Sequence, residues 1–114
     1  MKKIVLLLTS ALIASCGEPN LDQIHQGKYY WGPEVNSFSP CNSDNTYWVS
    51  YNWAGMEMSQ YYKENASAPY QPMYLEFRGH LLNESPAGFA EEYDGLIRLS
   101  EAKQYSFEIP VDCQ

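Results

Sequence analysis

The stretch MYLEFRGHLL, residues 73–82, opens on strict alternation: Met73, Leu75 and Phe77 fall on one side, Tyr74, Glu76 and Arg78 on the other. Successive side chains of a strand point to opposite faces, so this period of two predicts a β-strand with one buried face. Gly79 interrupts the pattern and predicts a bulge or corner where the sheet curls. Working outward, TYWVSY (46–51) sets Tyr47, Val49 and Tyr51 against Trp48 and Ser50. GLIRLSE (95–101) sets Ile97 and Leu99 against Leu96 and Arg98, and YSFEIPVDC (105–113) alternates Tyr105, Phe107 and Ile109 before Pro110 closes it. KYYWGPEVNSFS (28–39) is strand-like but is interrupted at Gly32-Pro33, where proline removes a ladder donor and glycine permits a kink. One segment departs from this period: in AGMEMSQYYKEN (54–65), Met58, Tyr61 and Tyr62 stand at helical spacing, and Asn65 is placed to end the helix. Turn clusters rich in Ser, Asn, Asp, Gly and Pro separate these runs. Five β segments and one short helix predict a mainly β domain, a small curled antiparallel sheet or barrel.

The other end of the chain carries a different signal. Lys2 and Lys3 precede an apolar run from Ile4 to Ile13 that is short for a membrane span, as in an export signal. The run ends in Ile13-Ala14-Ser15-Cys16, which resembles the lipobox of bacterial lipoproteins: an aliphatic residue, two small ones and a cysteine. That resemblance implies cleavage before Cys16 and acylation of its thiol and its new amino group. Each buried methylene contributes about 0.8 kcal/mol, and more than one acyl chain converts transient membrane contact into stable anchoring. Gly17 follows the cysteine where aspartate would favour retention at the inner membrane, so the resemblance points to the outer membrane. The expected organisation is a signal peptide over 1–15, a polar tether over 16–26 and one β domain over 27–114.

Loss of Lys2 and Lys3 takes the net charge from −7 to about −9. Such a surface repels phosphate backbones, which excludes nucleic acid as a partner, and it argues against a basic helix lying on anionic lipid. With Cys16 lipidated, Cys41 and Cys113 are left as an even pair in an oxidising compartment, the arithmetic of one disulfide. A metal site built on two isolated cysteines lacks the four converging ligands that zinc usually takes.

Ten tyrosines and three tryptophans raise the question of a stacking platform for sugars, against the simpler account that these residues form strands and fill a small core. Tyr29-Tyr30-Trp31 are the candidate binding aromatics, because three consecutive rings cannot share one face of a strand. Met56, Met58 and Met73 with His80 are the soft ligands that would suit copper(I), but residues two apart on a helix do not share a face, and His25 stands far from His80 in sequence. No metal site and no cofactor is assigned. Glu91, Glu92 and Asp94 read as a solvated acidic turn. No serine sits in a nucleophile elbow and no thiol is left for nucleophilic work, so no catalytic residue is named and the chain is read as a non-enzyme.

Three features together resemble the C-terminal domain of the NlpE-type envelope lipoproteins: EVNSFSPC running into a turn cysteine, the strand MYLEFRGHL, and VDC at the chain end. The resemblance covers most of residues 27–114. It implies an OB-like barrel and a disulfide between positions matching Cys41 and Cys113. Two departures stand out. The family's larger N-terminal barrel with its C-x-x-C motif is missing, so copper binding by that motif does not carry over. The helix also follows the second strand-like segment here, whereas the OB order places it after the third, so either the first segment is split at Gly32-Pro33 or the fold is a variant. The expected function is a periplasm-facing outer-membrane lipoprotein that binds an envelope protein partner or reports envelope stress. The alternative is a small-ligand module for glycan or copper.

Overall fold

The computed structural model describes residues 21–84 and 87–114. Strands β1 (Gln23–Gly32), β2 (Val35–Pro40) and β3 (Tyr47–Tyr51) come first. A single 3-10 turn at Trp53–Gly55 then leads into helix α1 (Met56–Asn65), followed by β4 (Met73–Leu82) and β5 (Gly95–Ser106). The five strands form a closed barrel in the order β1-β2-β3-β5-β4. Every pairing is antiparallel except β3 with β5, which run parallel. This is a small OB-like barrel, and the expectation of a wholly antiparallel sheet is corrected at that one seam.

The first strand-like segment is two strands. The chain reverses at Pro33-Glu34, with Glu34 at a φ of 61°, so that Tyr29 comes opposite Phe38 and Gly32 opposite Val35. The helix therefore follows the third strand, in the usual OB position. At the far end the opposite correction applies: Tyr105 and Ser106 continue segment 95–101 as one strand, β5, and residues 107–109 lie beyond its end. Ser100 and Lys103 have no opposite number in β4, because the register shifts between Arg78 and Gly79 and again between Glu76 and Phe77. Each extra residue moves the inward phase by one, which breaks the alternation into what looks like two short strands.

The barrel also begins earlier than expected, inside the span read as a tether. Residues 23–26 belong to β1 and pair with β4, from Gln23 opposite Gly79 to Gln26 opposite Glu76. Their polarity hides the pairing: His25 turns inward and stacks on Phe77 at 5.2 Å, while Ile24 faces out and is half exposed. Cys16 and the expected signal peptide, 1–15, lie outside the described residues.

Two glycines let the barrel curl. A Cβ on Gly79 would stand 1.9 Å from the Arg98 carbonyl oxygen, and one on Gly27 would stand 2.2 Å from that of Ser39. Gly79 marks the bulge its place in the sequence predicts. The interior is filled by Tyr29, Phe38, Val49, Leu75, Phe77, Ile97 and Leu99, and α1 plugs one end with Met58 and Tyr62. Phe38 meets Phe77 edge to face at 4.8 Å, and Tyr29 meets Tyr62 in the same way at 5.6 Å. Such pairs contribute about 0.5–1.5 kcal/mol beyond the area they bury.

Candidate functional site

Cys41 follows β2 directly and Cys113 lies in the last 3-10 turn, Val111–Cys113. Their sulfurs are bonded, with Cα atoms 4.5 Å apart across 72 residues of sequence. Two hydrogen bonds fix the same corner: the Cys41 amide donates to the Gln26 carbonyl at 2.9 Å, and Asn42 Nδ2 donates to the Asp112 carbonyl at 2.9 Å. The chain end is thereby stapled to the point where β2 leaves the sheet. Closing a loop of this length restricts the unfolded chain by about 4 kcal/mol on the entropy model.

The three consecutive rings divide. Tyr29 is wholly buried, so it is corrected from candidate binding aromatic to core residue; burial pushes its phenol well above the usual range. Its hydroxyl donates to Asn36 Oδ1. Trp31 is half buried, packs 6.3 Å from Tyr62 and carries the Lys63 ammonium 4.9 Å over its ring. Tyr30 is half buried on the other side of the strand. Tyr29 and Trp31 share the face that packs on Tyr62 and Tyr30 lies on the other, so the three rings form no single platform.

The methionines do not converge either. Met58 and Met73 are fully buried while Met56 is half exposed, and among the described residues no three His, Cys, Asp or Glu side chains are grouped as metal ligands. His80 Nδ1 lies 2.5 Å from Asp22 Oδ1, and that hydrogen bond holds the Asp22 carboxyl below its ordinary range. Asp94 is structural. Its carboxylate accepts the Thr46 amide at 2.8 Å, and its own amide donates to the Thr46 carbonyl at 2.8 Å, locking the loop before β5 onto the start of β3. Glu91 and Glu92 are exposed and, with Glu34, Tyr70 and Tyr93, line a groove beside that loop.

A second groove, of about 430 Å³, lies over β3 and β5. Val49 and Ile97 point into the barrel, so their neighbours Trp48, Ser50, Leu96 and Arg98 point out and line this groove. Ladder register places Trp48 beside Leu96 and Leu96 beside Leu82, forming an apolar row. The next row runs Ser50, Arg98, His80. Tyr93 closes on Trp48 with ring centroids 5.6 Å apart, and Glu84 and Asn36 stand on the rim. The Asn36 side chain serves the fold as well: it accepts from Tyr29 and donates from Nδ2 to the Val49 carbonyl at 3.0 Å. It does so where the ladder between β2 and β3 is limited to Ser37 opposite Trp48 and Phe38 opposite Tyr47. Sequence reasoning singled out none of these groove residues. Their outward phase was legible, but the parallel β3–β5 pairing that sets Trp48 beside Leu96 was not.

The fold and its clamp define a class: a small OB-like barrel stapled by one disulfide. No family model, curated protein or solved structure matches the chain.

Proposed function

We propose that this chain is a non-enzymatic, lipid-anchored protein of the bacterial outer membrane whose barrel faces the periplasm and acts by contact with an envelope protein. The observation that carries the reading is the Cys41–Cys113 bond. It occupies two of the three cysteines and is the kind of link that persists in an oxidising compartment, which leaves Cys16 for the lipid. The acidic surface is in keeping with a protein partner rather than a nucleic acid. The likeness of EVNSFSPC, MYLEFRGHL and VDC to the NlpE-type lipoproteins supports the same reading, including a role in reporting envelope stress. In that role the reduced barrel, without its staple, would open more readily and offer apolar strands to a partner.

The test has two parts. Mass spectrometry of the protein from bacterial membranes should find a mature chain beginning at an acylated Cys16; an unmodified Cys16, or cleavage elsewhere, contradicts the anchor. Crosslinking in intact cells followed by capture should recover one envelope protein reproducibly, and more of it when Cys41 and Cys113 are reduced. Recovery of none contradicts the contact role.

A further inference from the structure

We propose that the groove over β3 and β5 is a carbohydrate site, and that it takes a sugar bearing a carboxylate. This goes beyond the contact role and does not depend on the anchor. A pyranose ring has an apolar face of C–H groups and a rim of hydroxyls, so a protein holds it with an aromatic or aliphatic strip beside a strip of hydrogen-bonding side chains. The two ladder rows supply that pattern side by side. Trp48, Leu96 and Leu82 form the apolar strip, and Ser50 and Arg98 form the polar one.

Of the polar row, His80 is spent on Asp22, while Ser50 and Arg98 face the groove. Asn36 uses one Nδ2 hydrogen on Val49, and an amide nitrogen carries two. Arg98 is exposed and, like Lys28, forms no ion pair among the described residues, whereas Arg78 and Lys103 are paired with Glu101 and Lys63 lies over Trp31. Arg98 lines the groove together with Trp48 and the Glu84 carboxylate, and no ion pair joins it to Glu84, so its guanidinium is available to an anionic group brought by the ligand. The groove's volume of about 430 Å³ falls in the range of ordinary small-molecule sites, room for one or two sugar rings. Trp48 is held at a fixed angle by Tyr93 and Ser50 by the ladder, so little ordering is required on binding.

The test is an amide and indole NMR titration of the full chain in a sugar-free detergent, with two probes. One is N-acetylglucosaminyl-N-acetylmuramic acid, which carries a lactyl carboxylate; the other is neutral diacetylchitobiose. The expected result is movement of the Trp48 indole and of the Ser50, Leu96 and Arg98 amides with both probes. The acidic probe should bind about tenfold more tightly, the scale of one charge-assisted hydrogen bond. Arg98→Gln should bring the two affinities together, and Trp48→Ala should abolish both while the spectrum stays dispersed. If neither probe moves these resonances, or if both bind the wild-type chain equally, the proposal is overturned. Either result leaves the lipid anchor and the protein contact standing, because those are read by different measurements.

Discussion

The two sides of this barrel are built differently. On one side β1, β4 and β5 pair over long ladders, from Gln23–Gly79 to Tyr29–Met73 and from Tyr74–Ser106 to Leu82–Leu96. On the other side β2 and β3 meet only at Ser37–Trp48 and Phe38–Tyr47, with the Asn36 side chain bridging to Val49 beyond. The long side has its own hydrogen bonds and the largest share of the core, including Leu75 and Phe77. The short side depends on what lies behind it and below it: the buried Tyr29–Asn36 contact and the Cys41–Cys113 staple at the foot of β2. The groove lined by Ser50 and Arg98 sits beside the short side. Binding surfaces tend to come from the less stable parts of a fold, where the ladder is thin and side chains stand in for it.

Four experiments would break or sharpen this contrast. Phe77→Ala strikes the long side, where the ring packs against Phe38 and His25; urea unfolding should show a loss of about 3–5 kcal/mol. Reducing Cys41–Cys113 removes the staple of the short side and should lower the unfolding free energy by up to about 4 kcal/mol, with a larger m-value as the unfolded chain expands. Asn36→Ala removes the acceptor of the Tyr29 hydroxyl, which also interacts with Ser59 and Tyr51, and the donor to the Val49 carbonyl, at a cost of about 1–2 kcal/mol. If that cost is absent, Asn36 does not hold the seam.

The smallest effect concerns pH. The His80 hydrogen bond lowers the Asp22 carboxyl below its ordinary 3.8, so its contribution is present above that value and is lost as pH falls through the depressed one. Asp22→Asn should therefore narrow the stability difference from the wild type on going from neutral pH to below 3.8, as read by thermal melts.

How much of this was legible in the sequence depends on the residue. MYLEFRGHLL read correctly as a strand with a bulge at Gly79, because its alternation reports one buried face and its glycine meets the Arg98 carbonyl. Helix α1 was legible from the spacing of Met58 and Tyr62, both now in the core. The split of the first segment at Gly32-Pro33 was one of two alternatives raised by the position of the helix, and the structure takes it. The bulges at Ser100 and Lys103 looked like a gap between two strands, which keeps the total at five. Both concern register, which local periodicity does not encode. The Cys41–Cys113 bond followed from counting, since three cysteines with one assigned to lipid leave a pair. The groove was hidden because it depends on which strands are neighbours, and β3 and β5 are joined only by closure of the barrel.

Native-state hydrogen exchange on the oxidised protein tests the central contrast most directly. The amides of Leu75, Phe77, Ile97 and Leu99 should exchange only with global unfolding, while those of Ser37, Phe38 and Trp48 should exchange through a smaller opening that Asn36→Ala makes easier. Equal protection of both groups, unchanged by Asn36→Ala, would contradict the account of a barrel with one strong side and one thin seam.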